Sequence, residues 1–293
     1  YPSFFFFCIH NRLKYYIILI FNMNIKTAYL LSIITQIWCF QIKPFNVNYN
    51  KIRNTNKNMK MSIIVFGATG ATGQEVVIQA LNKKEHVVAF CRDQSKLTKP
   101  PGTCGIDTTN ELITNTKLIK YTGTVTSQDD VNRAFSSSPT YIKGVVVALG
   151  GKPDEVGYDM LTNGTQCIIN AMKKYNVKRI AVVTSIGTGN SIKQAPLFFK
   201  LLMKTVMKPI MKDKNSQEDL FLKDINSPGR DLEYTIVRPG GLSLDPPTND
   251  IKIIKGVAGR IPRADVAQFC LDAVLKKDFE YIQQTPCISS VFK

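Results

Sequence analysis

The stretch that decides the fold is residues 61–97, which read MSIIVFGATGATGQEVVIQALNKKEHVVAFCRDQSKL. The apolar run at 62–66 predicts a β-strand, and the spacing of apolar residues over 73–83 predicts a helix after a glycine-rich turn. A second apolar run at 86–91 predicts a second strand. This order predicts a βαβ unit, from which parallel sheets are built.

The turn between the first strand and the helix carries Gly67, Gly70 and Gly73. Because glycine has no Cβ, it permits a tight turn, a close backbone approach to a pyrophosphate and close helix–strand packing. The N–H groups that open the helix can then bind the pyrophosphate. The segment therefore predicts a dinucleotide site, with a glycine turn in some other α/β fold as the alternative.

The residue that follows the second strand bears on which dinucleotide is bound. An acidic residue there would bind the ribose 2′-hydroxyl of NAD. This chain has Arg92, with Lys96 close behind, and a guanidinium suits a phosphate group. NADP(H) is therefore favoured over NAD(H). The alternatives are a solvated surface arginine and a competing effect of the neighbouring Asp93.

The rest of the chain continues the alternation of strands and helices. Strands are predicted at 117–122, 144–149, 179–184, 233–237 and near 281–288, with helices at 128–135, 160–175, 196–225 (interrupted near Pro209) and 263–276. Residues 100–116 predict a surface loop. The strands are continuous apolar runs, as in a parallel sheet buried on both faces. We expect an α/β fold with a Rossmann-type, doubly wound, mostly parallel sheet, forming a single domain over residues 61–293.

Residues 1–60 differ in composition, with eight Lys or Arg and no Asp or Glu. Their apolar runs are shorter than a membrane-spanning helix needs, so no stable membrane insertion is expected. We expect a poorly ordered extension, interpreted as leader sequence ahead of a start at Met59 or Met61, or else as a targeting segment. The expected compartment is the cytoplasm, with an organelle as the alternative if the extension is a presequence.

Charge and composition exclude several other classes of protein. The chain carries a net charge of +16, but half of it lies in residues 1–60, and no nucleic-acid-binding motif accompanies it. The seven cysteines form no CxxC pair and there are only two histidines, so no metal site is predicted. The partners expected are a small-molecule acceptor and no nucleic acid, with the chain a monomer or a homodimer.

At this point the chain resembles the atypical short-chain dehydrogenase/reductase group, including NmrA-like and biliverdin/flavin-reductase-like NAD(P)H-binding proteins. The resemblance covers Met61–Lys293 and rests on "VFGATGATG", "CRDQSKL", "VVVALGG", "AMKKYNVKRIAVVTSIGTG", "YTIVRPGGL" and "RIPRADVAQFCLDAV". It implies the following cofactor contacts: Gly67, Thr69, Gly70, Thr72 and Gly73 at the pyrophosphate, Arg92 at the 2′-phosphate, Thr124 and Val125 at the adenine, Ala148, Leu149 and Gly150 along the ribose, and Pro239 and Gly240 over the nicotinamide.

The resemblance also implies catalytic positions, and here the chain departs from the family pattern. Ser185 would place a hydroxyl beside the nicotinamide, and Lys214 matches the lysine of the Tyr-x-x-x-Lys proton-transfer pair. Ile210 stands where that tyrosine is expected. Tyr158 is a substitute that the sequence alone does not place. A solvated helix lysine is the alternative for Lys214.

Without the tyrosine, alcohol–ketone chemistry is less favoured. The predicted function is an NAD(P)H-dependent oxidoreductase that transfers hydride to a flat conjugated acceptor (a flavin, quinone or biliverdin-like compound), with FMN or FAD among the candidate substrates. The alternative is a non-catalytic NADP(H)-binding redox sensor of the NmrA type. A sugar-nucleotide epimerase or dehydratase is favoured least. Residues 195–211 predict an amphipathic helix packed on the core, with a substrate lid or a membrane-surface helix as alternatives.

Overall fold

The computed structural model of the chain describes residues 61–151 and 157–290. The expectation for residues 1–60 lies outside the described residues. Ten strands are described: β1 Met61–Phe66, β2 His86–Cys91, β3 Leu118–Thr122, β4 Tyr141–Val147, β5 Arg179–Val183, β6 Glu233–Pro239, β7 Gly241–Ser243, β8 Lys252–Ile253, β9 Arg260–Pro262 and β10 Cys287–Ser289. The α-helices are α1 Ala71–Asn82, α2 Pro101–Cys104, α3 Gln128–Ser136, α4 Met160–Lys174, α5 Leu197–Lys204, α6 Lys208–Leu222 and α7 Arg263–Leu275.

Eight strands form one sheet in the order β3-β2-β1-β4-β5-β6-β10-β8. Every neighbouring pair is parallel except β10 and the edge strand β8, which run antiparallel. The chain passes from β3 across β1 to β4, so the strand order reverses at β1. In such a sheet ligands bind beyond the carboxyl ends of the strands at this reversal. The predicted Rossmann-type, mostly parallel sheet is confirmed.

Apolar side chains cover both faces of the sheet, which explains why the strands read as continuous apolar runs. On one face, α1 and α7 pack over Ile63, Val65 and Val146. On the other face, α3, α4 and α6 pack over residues such as Ile64 and Val147. Alternate residues of β1 thus point into two separate cores. This burial holds the ends of β1, β4 and β5 beside one another, where the candidate site lies.

The structure departs from the sequence predictions in its connections. The long helix predicted over 196–225 is two helices, and the break lies at 205–207, because Pro209 fits the first turn of α6, where its missing N–H costs no hydrogen bond. The loop predicted at 100–116 contains α2 and a 3₁₀ turn, held by the buried Glu75, which accepts hydrogen bonds from Thr103. The short strands β7, β8 and β9 were not predicted, since two or three residues carry no periodicity.

Within residues 61–151 and 157–290, no helix has the length and apolar content needed to cross a bilayer.

Candidate functional site

The glycine-rich turn joins β1 to α1 with a geometry that only glycine permits at two of its three positions. Gly67 has φ +78°, and a Cβ there would lie 2.4 Å from the carbonyl oxygen of Ala148 on the neighbouring strand's end. A Cβ on Gly73 would lie 2.1 Å from the carbonyl oxygen of Gly67. Both glycines are therefore required by the packing of the protein itself.

Gly70 is different, because a Cβ there would meet the Gly67 carbonyl oxygen at 3.4 Å, an ordinary contact. Its φ of −74° also suits any residue. Protein packing thus leaves the missing Cβ of Gly70 unexplained, whereas a ligand that approaches the backbone would explain it. Gly70 is the N-cap of α1, and no side chain among the described residues caps this helix end. The exposed N–H groups suit a pyrophosphate.

A cavity of about 560 Å³ opens beside this turn at the carboxyl ends of the strands. Eleven of the predicted site residues line it: Gly67, Thr69, Gly70, Thr72, Arg92, Thr124, Val125, Ala148, Leu149, Gly150 and Lys214. Nine further residues complete the wall: Ala71, Phe90, Cys91, Thr126, Met160, Val183, Thr184, Leu242 and Arg263. The described wall contains three cations and no carboxylate, so it suits an anionic ligand such as a dinucleotide.

At one end of the cavity, Arg92 follows β2 with an exposed side chain. The part of the chain that the structure describes offers Arg92 no ion-pair partner. The neighbouring Asp93 instead accepts hydrogen bonds from the hydroxyl and the N–H of Ser95, and these bonds hold the pKa of Asp93 below its usual range. The carboxylate that could have served a ribose hydroxyl is therefore engaged in a local turn.

At the other end of the cavity, Lys214 projects from α6 and donates a hydrogen bond of 3.1 Å to the carbonyl oxygen of Thr184. Burial lowers the pKa of Lys214 to about 8, although Glu218 and Asp213 oppose the shift by favouring the ammonium. Lys214 is thus a partly buried lysine in the cavity wall, and the alternative of a solvated surface lysine is wrong. An ammonium with this pKa can donate a proton near neutral pH.

A buried ion pair supports the backbone that holds Lys214. Glu218 and Arg238 are each 3% exposed, and their side chains meet at 2.5 Å. Glu218 also accepts hydrogen bonds from the hydroxyls of Thr184, at 2.7 Å, and Thr188, at 2.5 Å. The pair therefore fixes Thr184, whose carbonyl oxygen orients the Lys214 ammonium. A second cavity of about 630 Å³ is lined in part by Glu218 and Arg238 themselves and by no residue of the glycine-rich turn.

Two residues beside this end of the site carry roles that the sequence did not suggest. Asp213 is buried and accepts hydrogen bonds from the backbone N–H groups of Leu161 and Thr162, so it caps the start of α4 from a distant helix. Arg263 is partly buried in the cavity wall and donates to the carbonyl oxygen of Ser243. Arg263 belongs to the quoted motif "RIPRADVAQFCLDAV", which was the only signal for it.

Several predicted site residues do not reach the cavity. Ser185 donates to the carbonyl oxygen of Ile186, and Thr184 takes its place in the wall. Gly240 is packed where a Cβ would lie 2.3 Å from the Gly259 carbonyl oxygen. The residues outside the lining are Ser185, Gly73, Pro239, Gly240 and the candidate substitute Tyr158. None of the described lining residues is a tyrosine.

Comparison with known proteins identifies the family to which this chain belongs. A family model described as NAD(P)H-binding matches residues 67–277. The chain belongs to this NAD(P)H-binding family. An uncharacterized chloroplastic protein of Arabidopsis thaliana is 27% identical over 233 residues, which cover 75% of this chain and 74% of the plant protein.

Solved structures of other Rossmann-type NAD(P)-binding proteins superpose on this family member. An oxidoreductase from Lactococcus lactis has a TM-score of 0.61 at 17% identity, covering 79% of this chain and 91% of its own. A short-chain dehydrogenase/reductase from Veillonella parvula in complex with NADP has a TM-score of 0.59 at 17% identity, covering 79% and 95%. An anaerobillin reductase from Escherichia coli O157:H7 has a TM-score of 0.56 at 21% identity, covering 78% and 97%. At these identities the likeness establishes the fold.

Proposed function

We propose that the protein is an NADPH-dependent reductase of a flat conjugated acceptor, such as a flavin, a quinone or a linear tetrapyrrole. The observation that carries the proposal is the cavity wall, which joins a dinucleotide-type turn at one end to a lysine ammonium of lowered pKa at the other. A bound reduced nicotinamide would supply a hydride. Lys214 would supply the accompanying proton from Nζ, and solvent would return it.

The cofactor assignment rests on the residues that would hold it. The uncapped start of α1 and the open side of Gly70 would take the pyrophosphate, and Arg92 would take the 2′-phosphate. Because Asp93 is engaged with Ser95, it competes little for the ribose. The NADP complex of the Veillonella parvula neighbour supports the same preference.

The choice of acceptor follows from the groups that the described wall contains and from those it omits. Reduction of a ketone to an alcohol is aided by a phenol that donates a proton to the carbonyl oxygen. A conjugated acceptor instead spreads the incoming negative charge over its ring system. Apolar side chains such as Met160 and Leu242 offer a surface for a flat molecule. The anaerobillin reductase among the structural neighbours supports this class of acceptor.

The test is turnover with a panel of acceptors. The purified full chain is mixed with NADPH or NADH and with FMN, FAD, a soluble quinone or biliverdin, and cofactor oxidation is followed by absorbance. We expect at least one acceptor to be reduced faster with NADPH than with NADH. Tight NADPH binding without oxidation by any acceptor would refute the reductase.

That negative outcome would favour a second candidate, a dinucleotide-binding redox sensor. The absence of a tyrosine from the described cavity wall is the observation that favours it. A sensor must bind NADPH and NADP⁺ with different affinities, because a ligand shifts an equilibrium only through differential affinity. Calorimetric titration with both forms tests this candidate, because equal affinities for NADPH and NADP⁺ would exclude the sensor.

The compartment forms part of the same proposal. The sequence favours the cytoplasm, while the chloroplastic Arabidopsis relative supports the organellar alternative, in which residues 1–60 would be a presequence. Fusing these residues to a fluorescent protein and locating it in plant cells tests the choice.

A further inference from the structure

A cluster of apolar side chains lies exposed on and beside helix α5. Leu197 is 84% exposed, Phe198 72%, Leu201 60% and Val206 79%. We call these four residues the α5 face. Large apolar residues are exposed elsewhere in the described chain, but here four lie within ten positions. Large apolar side chains exposed so close together in the chain are typical of a surface that binds a membrane or another protein.

The opposite side of α5 anchors the helix to the protein. Met203 is buried, and its sulfur packs against Gly187, where an added Cβ would lie 2.3 Å away. Phe199 joins the same cluster. Residues advance by about 100° around a helix, so Leu197, Leu201 and Phe198 necessarily point away from this anchor. Three residues of the α5 face are thus presented outward by a helix whose other side is already packed, and exposed Val206 follows two residues after the helix ends.

Lysines flank the α5 face. The segment from Gly187 to Lys212 contains no Asp or Glu and has five lysines: Lys193, Lys200, Lys204, Lys208 and Lys212. Lys204 is exposed one turn after the apolar residues on the same helix. The segment therefore combines an outward apolar stripe with a local charge of +5, and an anionic surface complements both features.

We propose that the α5 face docks on the surface of an anionic lipid bilayer. Two copies of the chain would bring five lysines against five, so charge disfavours self-association through this face. A partner protein would usually receive an amphipathic helix in a groove, whereas an exposed apolar stripe with flanking lysines suits a planar interface where the lysines reach the headgroups. The apolar side chains would enter the headgroup boundary without crossing the bilayer.

The position of helix α5 relative to the cavity suggests what the docking would serve. Met203 and Met211 pack near Gly187, three residues after Thr184 of the cavity wall. Helix α5 is therefore anchored near the Lys214 end of the cavity, so docking through its outer face would bring that end close to the bilayer and to a lipid-dissolved acceptor. The docking itself does not depend on the proposed reductase activity.

The test measures contact with lipid at one position of the full chain at a time. Trp38 is the only tryptophan, so a Trp38→Phe background accepts a single reporter. One variant adds Phe198→Trp, and the matched control adds Ile225→Trp. Ile225 is 80% exposed and lies just beyond the C-terminal end of α6, whereas α5 precedes the N-terminal end. Each is mixed with phosphatidylcholine vesicles, with or without phosphatidylglycerol, that carry brominated acyl chains to quench tryptophan.

We expect strong quenching at position 198 with phosphatidylglycerol, weak quenching without it or in high salt, and little quenching at position 225. In unlabelled protein, Leu197→Ser with Leu201→Ser should weaken vesicle binding by about tenfold. No quenching at 198, equal quenching at both positions, or a blue-shifted emission before vesicles are added would each overturn the proposal. The last result would mean that protein already covers the face. Quenching without NADPH oxidation would refute the reductase alone.

Discussion

The two ends of the candidate cavity are built by different means. At the Gly70 end, the backbone makes the site through a turn and a helix start that lie within six residues of one another. At the Lys214 end, side chains make it, and they come from α6, β6 and the residue that follows β5, across 55 residues of chain. The first end depends on local conformation, whereas the second depends on a buried ion pair that holds distant elements together.

Because of this difference, substitutions at the two ends should impair the protein in two different ways. A substitution at the Gly70 end should change what binds, since that end offers N–H groups to a ligand. A substitution at the Lys214 end should change the chemistry or the stability, since that end offers a proton and rests on Glu218 and Arg238. Each of the following experiments tests this division.

The largest effect is expected at Lys214 itself. Lys214→Met should lower kcat with the best acceptor by about 10²–10⁴-fold, because the proton donor is lost, and should leave NADPH affinity nearly unchanged. Steady-state kinetics and fluorescence titration measure the two quantities. Lys212→Met, an exposed lysine on the same helix, is the control and should behave as wild type. Equal losses in the two variants would remove the catalytic role.

The supporting ion pair should be worth more to stability than an exposed one. Glu218→Ala leaves the Arg238 guanidinium buried without its carboxylate and should lower the free energy of unfolding by about 3–5 kcal/mol. Glu233→Ala breaks the partly exposed pair with Arg179 and should cost less than about 1 kcal/mol. Urea denaturation compares them, and similar costs would contradict the structural role of Glu218.

The glycines of the turn should divide in the same way. Gly70→Ala should reduce NADPH affinity by about tenfold while changing the free energy of unfolding by less than about 1 kcal/mol, because its Cβ obstructs only the ligand. Gly73→Ala should instead prevent normal folding, because its Cβ would lie 2.1 Å from a carbonyl oxygen. Thermal melts and titrations separate the two. An unstable Gly70→Ala variant would show that packing also requires Gly70.

Arg92 should affect one cofactor and not the other. Arg92→Ala should weaken NADPH binding by about tenfold, the loss of one charge-assisted contact at an exposed site, and should leave NADH binding unchanged. Lys96→Ala serves as the neighbouring control. A parallel loss for both cofactors would mean that Arg92 does not read the 2′-phosphate.

The smallest effect near neutral pH is the pH dependence of turnover, which becomes large only above pH 8. Burial lowers the pKa of Lys214 to about 8, so the ammonium predominates below that pH and is lost as pH rises through it. If the ammonium is the acid, kcat/KM should be level below pH 8 and should fall above it, approaching tenfold per pH unit. Lys214→Arg should lower kcat towards that of Lys214→Met and abolish the fall, because a guanidinium keeps its charge but does not release its proton in this range. A rate that rises above pH 8 would indicate that the neutral amine acts as a base.

Much of the fold and of the Gly70 end follows from local patterns in the sequence. The apolar runs predicted the parallel strands, and the glycines between Phe66 and Gln74 predicted the turn. The break between α5 and α6 was placed a few residues late, because Pro209 reads as a breaker in sequence although it is tolerated in a first helical turn. The resemblance pointed to Lys214, which lies in the cavity wall, and to Ser185, which lies outside it, whereas Thr184, one residue earlier, lines the wall.

The sequence by itself therefore determined the class of fold and the end of the site that depends on backbone conformation. Strand periodicity and the steric freedom of glycine act over a few residues, so they are legible in the chain. Only the tertiary structure decided that Lys214 is partly buried, that Glu218 pairs with Arg238 and that Asp213 caps a distant helix. Those properties arise from desolvation and from contacts between residues far apart in the chain, and no local pattern encodes them.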